Sequence, residues 1–189
     1  MSILVHKKIY LAVLGNIIPL VGVLFFHWSV AAILLSYWLE NVVIGLYQVL
    51  RMGRATMNYP VSEKNTLVIG PLRPVQSVEK VFYPIFFCVH YGLFLWGHLY
   101  FLRFFGEVLG ESMVFTWAIV LSMLPFFVTH GKIYVEKFLG EKEYERVALA
   151  KLFIGPYRRI FVMHAIIILG TLPLIFFAKT FPQAEQVPQ

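Results

Sequence analysis

Residues 86–98 read FFCVHYGLFLWGH, and eleven of these thirteen suit a lipid interior while His90 and His98 do not. The run lies within a longer apolar stretch, 82–105, which meets the requirement of about 20 mostly apolar residues for a membrane span. Four further stretches have that character: 9–26, 28–50, 113–131 and 160–178. Hydrophobic residues make up 59% of the 189-residue chain and charged ones 14%, with a mean hydropathy of +0.75. Soluble domains hold about 25% charged residues, and a globule of this length has too little interior to hide so much apolar surface. The expected fold is therefore all-α: a single membrane-embedded domain, 1–189, built as a bundle of five transmembrane helices.

The first stretch follows Lys7 and Lys8, as a secretory signal would, but its apolar run is too long and no small-residue cleavage site follows. It reads as a retained helix. The connection around His27 and Trp28 is short, which predicts an antiparallel hairpin of the first two spans. The single cysteine, Cys88, excludes an internal disulfide framework.

Charge sets the orientation, because Lys and Arg accumulate on cytoplasmic loops. With five spans, fourteen of the sixteen basic residues fall on one side: the N-terminus, the 51–81 loop and the 132–159 loop. The N-terminus is then inside and the C-terminus outside, in a multi-pass protein of the cytoplasmic membrane. Anionic lipid headgroups account for the net charge of +6 without any nucleic acid. Residues 58–76 carry three prolines and predict irregular chain. Residues 133–154 mix apolar and charged positions at helical spacing, and read as an amphipathic helix on the inner surface or an extension of the fourth span. The tail, 180–189, is expected to be disordered. No internal repeat is visible, so a small five-span carrier would need to act as a homo-oligomer.

Glu40, in SYWLENVVIG, is the acidic residue expected deep in a span, where a central charge costs about 2.5–3.5 kcal/mol even on lenient scales. Counting along the helix, it lies roughly 16 Å from the inner boundary at Arg51, and His90 lies roughly 15 Å from Lys80. The sequence thus predicts that Glu40 and His90 meet. His164 and His130 come in from the same leaflet, and His98 lies about 12 Å further out than His90.

Two readings stay open, besides one in which these groups only pack helices together. In the first, Glu40, His90, His130 and His164 form a transition-metal set, with His98 in an outer tier, or two of the histidines ligate a haem. In the second, the staggered Glu and His residues relay protons or ions from the cytoplasm. No HExxH or CxxC motif is present, and no catalytic residue is assigned.

The segments YWLENVVIG (37–45), HYGLFLWGH (90–98), THG (129–131) and PYRRIFVMHAIIILG (156–170) resemble a family of bacterial and archaeal multi-pass membrane proteins defined only as a domain of unknown function. Its pattern falls on Tyr37, Trp38 and Glu40; on His90, Tyr91, Gly92 and His98; on His130; and on Pro156, Tyr157, Arg159, Ile160 and His164. Thr129 stands where that pattern has Ser. The resemblance implies a membrane location and no known activity. Beside the histidines, Tyr91, Tyr157 and Arg159 are the polar groups expected to support a bound metal or cofactor.

Overall fold

The computed structural model describes residues 25, 29–60, 70–108, 110, 121 and 123–180, and it is mostly helical. Helix α1 spans Val30–Arg54, strand β1 Met57–Asn58, strand β2 Arg73–Pro74 and helix α2 Ser77–Val108. Helix α3 (Leu124–Ile133) continues into a π-helical turn, Tyr134–Gly140, and a 3₁₀ turn, Glu143–Glu145. Helices α4 (Leu149–Ile154) and α5 (Tyr157–Thr180) complete the described chain.

Helix α1 starts where the Ser29 side chain accepts the Ala32 N–H at 3.0 Å, satisfying one of the helix's orphan donors. Ala31, Leu35, Leu39 and Val43 then recur every fourth residue and form one buried stripe. Its 25 residues extend about 37 Å and the 32 residues of α2 about 48 Å, both longer than the roughly 30 Å of a bilayer's hydrocarbon core. By length and composition, α1 and α2 are long and apolar enough to cross a membrane. Helix α2 turns Phe82, Ile85, Val89, Leu93 and Trp96 outward along one face, and contiguous exposed apolar surface marks contact with a membrane or a partner.

Of the five expected spans, two are seen as helices of membrane-crossing character among the described residues. Residues 9–24 and most of 113–122 lie outside the described residues, and of the fifth stretch's side chains only part is described. The tail beyond Thr180 lies outside them too.

Helices α1 and α2 approach closely at Gly45, where an added Cβ would sit 2.8 Å from the Tyr91 ring. The Tyr91 hydroxyl donates to the Asn41 carbonyl at 3.0 Å, and the Trp38 indole N–H to the Leu95 carbonyl at 2.8 Å. Both bonds tie side chains to backbone across the pair, where the polar tips of aromatic rings would otherwise lack partners. Met52, Phe87, Tyr91, Phe138, Leu149 and Ile160 belong to the main core, near the C-terminal end of α1.

On the face that the basic residues lead one to expect inside, the described residues of the 58–76 stretch, 58–60 and 70–76, make specific contacts. Asn58, fully buried, donates to Glu79 Oε1 at 3.0 Å and accepts the Ala150 N–H at 3.0 Å. Arg73 closes on both oxygens of Glu79 at 2.8 and 2.9 Å, a charge-assisted fork. β1 and β2 pair antiparallel, and Met57 also bridges Ala148. The contacts of Asn58 with Ala150 and of Met57 with Ala148 join stretches some 90 residues apart, so no local pattern announces them. Lys142, in a left-handed conformation at φ 53°, turns the chain back after the π-helical segment.

Candidate functional site

Helix α5 carries the contacts that organise the polar interior. Arg159 Nη1 donates to Glu40 Oε1 at 2.8 Å, and His130 Nε2 lies 3.7 Å from the same oxygen. The carboxylate is thus held between a guanidinium from α5 and an imidazole from α3. The fork of Arg159 supplies the positive charge that an anion needs when it leaves water.

Two residues earlier on α5, the Tyr157 hydroxyl meets His90 Nδ1 at 2.8 Å. The His90 ring also stacks on Phe86, with centroids 5.3 Å apart and planes 13° from parallel. Further along the helices, His164 Nδ1 lies 3.2 Å from His98 Nε2, with the rings nearly perpendicular at 82°. His98 is buried, and its Nδ1 stands 2.6 Å from the Phe94 carbonyl one turn back. A carbonyl oxygen only accepts, so His98 Nδ1 carries the proton and Nε2 presents its lone pair to His164.

A cleft of about 270 Å³ is lined by His90, Leu93, Phe94, Gly97, His98 and His164, with Phe101 at its edge. Gly97 has open space where a side chain would project, so the cleft floor is bare backbone there. A second cleft of about 510 Å³ runs beside Glu40, Arg158, Arg159 and Asn41. Asn41 Oδ1 is buried without a hydrogen-bond partner, although its amide nitrogen donates to the Tyr37 carbonyl at 2.8 Å.

The residues singled out in the sequence therefore divide into two groups. Glu40 and His130 come together with Arg159, and His98 and His164 come together with each other. His90 pairs with Tyr157 and not with Glu40, and Tyr91 serves the α1–α2 contact. Among the described residues no three His, Cys, Asp or Glu side chains gather as a metal set, so the four-helix set Glu40, His90, His130 and His164 is not assembled. The reason is rotational. Depth along a helix places Glu40 and His90 at one level, but Tyr91, about 100° further round α2, is the residue that faces α1.

His98 and His164 were separated by the same arithmetic. Counting from Arg159 as a boundary residue puts His164 low, whereas Arg159 reaches Glu40 at depth and raises all of α5 with it. Two participants had no signal of their own in the sequence. The Phe94 carbonyl follows from the four-residue spacing to His98, which places a ring nitrogen over the preceding turn. Gly97 is legible only once the cleft is seen.

Fold and site together define a helical protein with two helices of membrane-crossing length and one imidazole pair, His98 with His164, between helices. The chain belongs to a family of unknown function, DUF6498, whose model matches residues 4–184. No curated protein and no solved structure matches it.

Proposed function

We propose that the chain is an integral membrane protein, crossing the cytoplasmic membrane five times with its N-terminus inside, that binds a transition-metal ion between His98 and His164. One observation carries this reading: His98 Nε2 and His164 Nδ1 face each other at 3.2 Å while His98 Nδ1 is turned to the Phe94 carbonyl. Ligating histidines characteristically donate their other ring N–H to a carbonyl or carboxylate, which fixes the tautomer and aims the lone pair.

The separation selects the type of centre. With metal–nitrogen bonds of about 2.0–2.1 Å, two nitrogens on a tetrahedral ion lie about 3.3 Å apart, while opposed axial ligands lie about 4.1 Å apart. The observed 3.2 Å suits neighbouring ligands on one ion and not the two faces of a haem. The remaining coordination positions fall to groups from the cleft, water or an exogenous ligand, and such an open ion acts as a Lewis acid.

The relay reading has less support. A proton passed from His164 to His98 meets the Phe94 carbonyl, which cannot take it on. Glu40 belongs to a separate cluster and has no hydrogen bond to His90 or His98 among the described contacts.

The test is elemental analysis of the purified protein. The expected result is about one equivalent of zinc, copper, iron or nickel in the wild type, lost in His98→Ala and in His164→Ala. Folded, metal-free wild type that still fails to bind any of these ions on titration contradicts the proposal and leaves the imidazole contact as helix packing.

A further inference from the structure

The larger cleft, about 510 Å³ beside Glu40, is lined by unequal charges. Arg158 and Arg159 reach it from the first turn of α5 and Glu40 from α1, so one positive charge is in excess. Arg159 Nη1 is bonded to Glu40 Oε1 at 2.8 Å, which leaves Arg158 as the unmatched cation. Arg158 is exposed and makes no hydrogen bond or ion pair among the described residues.

Acceptors are unmatched as well. Arg159 and His130 both approach Oε1 of Glu40, and Oε2 has no hydrogen bond among the described residues. Asn41 lines the same cleft, and its buried Oδ1 is left without a donor. Buried polar atoms are characteristically hydrogen-bonded. The cleft is therefore matched to a ligand that brings one negative charge and hydroxyl donors together.

The apolar part of the lining lies to one side of the charges. Gln48 bonds to the Leu152 carbonyl, Glu40 to Arg159, and Leu34 and Trp38 pack against the Leu102–Met163 cluster, so α1 and the 152–163 segment run in opposite directions. Leu34 stands six residues before Glu40, about 9 Å along α1, and Val162 and Met163 follow Arg159 on α5. Along both helices the lining thus passes from charged to apolar in the direction away from the basic 132–159 segment. A phospholipid has the same order, head group and then acyl chain, and basic clefts between membrane helices suit anionic head groups.

We propose that this cleft binds phosphatidylglycerol, its phosphodiester on Arg158, its glycerol hydroxyls donating to Glu40 Oε2, and one acyl chain lying past Leu34 and Val162. The single charge of a phosphodiester matches the excess one, and its two free oxygens suit a guanidinium fork. Zwitterionic phosphatidylethanolamine leaves the excess unmatched. The proposal rests on the membrane placement above and does not require the metal.

The experiment uses the full chain, extracted in detergent from the membrane fraction, with bound lipid counted by native mass spectrometry. The probes are phosphatidylglycerol, phosphatidylethanolamine, phosphatidylmethanol (the same charge without head-group hydroxyls) and inorganic phosphate. The wild type is expected to hold one equivalent of phosphatidylglycerol about tenfold more tightly than phosphatidylethanolamine, with phosphatidylmethanol between them. Arg158→Gln is expected to weaken phosphatidylglycerol about tenfold, the loss of a charge-assisted contact, at unchanged metal content. Arg54→Gln, at an exposed cation outside the cleft, is expected to bind as wild type does.

Equal affinity for phosphatidylglycerol and phosphatidylethanolamine overturns the proposal, as do equal losses in Arg158→Gln and Arg54→Gln, which would reduce the effect to general charge attraction. Displacement of the lipid by equimolar inorganic phosphate would make this a free-anion site and overturn it too. Phosphatidylmethanol binding as tightly as phosphatidylglycerol overturns the contact to Glu40. A chain recovered only from the soluble fraction would contradict the membrane placement itself, whereas a membrane-extracted chain without the preference overturns the lipid site alone. Metal content read in the same samples keeps the metal site a separate question.

Discussion

The imidazoles of His98 and His164 meet across the α2–α5 contact at 3.2 Å, with His98 Nδ1 drawn back to the Phe94 carbonyl at 2.6 Å. The second distance gives the first its meaning. It fixes the His98 tautomer, buries the donor against its own helix and leaves one lone pair pointing at a ring from the last helix. Helix α5 enters this arrangement through Arg159, whose bond to Glu40 sets its height against α1. Glu40 thereby contacts the helix that carries His164 without touching the imidazole pair.

Replacing Glu40 by Gln removes the charge that holds Arg159 and His130. The Arg159 side chain is half exposed, so the loss is expected to be modest, about 1–2 kcal/mol. Thermal unfolding in detergent should record a lower midpoint, with metal content reduced less than twofold. Complete metal loss in folded Glu40→Gln would make the carboxylate a ligand instead.

Gly45→Leu drives a side chain into the Tyr91 ring, whose nearest carbon would be 2.8 Å from the new Cβ. Helices α1 and α2 must separate, at a cost of about 1–3 kcal/mol or more. A cysteine pair engineered across this contact should crosslink in the parent and fail to do so in the variant. Equal crosslinking would show that the close approach is not required.

Asn58→Ala takes the acceptor from the Ala150 N–H at a fully buried position and removes one of the hydrogen bonds to Glu79, which keeps Arg73. Unmade buried bonds cost about 1–3 kcal/mol each. Limited proteolysis should cut the inner face, near residues 57–80 and 141–156, much faster than in wild type, while the long apolar helices stay protected. An unchanged digestion pattern would rule out Asn58 as the anchor.

Glu79 precedes the apolar run of α2, and hydrogen bonding from Arg73 holds its carboxyl below the usual carboxylate range, against the opposing effect of burial. A depressed folded pKa means stability that is present above the unfolded value, near 4.5, and lost as pH falls through the lower folded value. The inner face should therefore loosen only in acid below pH 4.5. Glu79→Gln should weaken it at neutral pH and flatten the acid response. Proteolysis rates across pH for both proteins measure this, and parallel profiles would refute it.

How far the sequence reached depended on the kind of contact. Helices α1 and α2 were legible because a long apolar run signals itself locally. The importance of Glu40 and the histidines was legible from the cost of polar groups among apolar neighbours, whereas Tyr157 and Arg159 stood out only through the family resemblance. Their pairing was not. Depth counts residues along one helix, whereas pairing needs the rotation of two, and a shift of one residue turns His90 away and Tyr91 inward. The inner-face network escaped for another reason: Asn58, Glu79 and Ala150 are joined only through the folded chain.

Cobalt(II) titration of metal-free protein tests the central claim most directly, because the ion's visible bands strengthen as its coordination falls toward four. The account predicts that one equivalent gives strong bands in wild type, Glu40→Gln and His90→Phe, and none in His98→Ala or His164→Ala. The same bands in His164→Ala, or their absence from folded wild type, would contradict it.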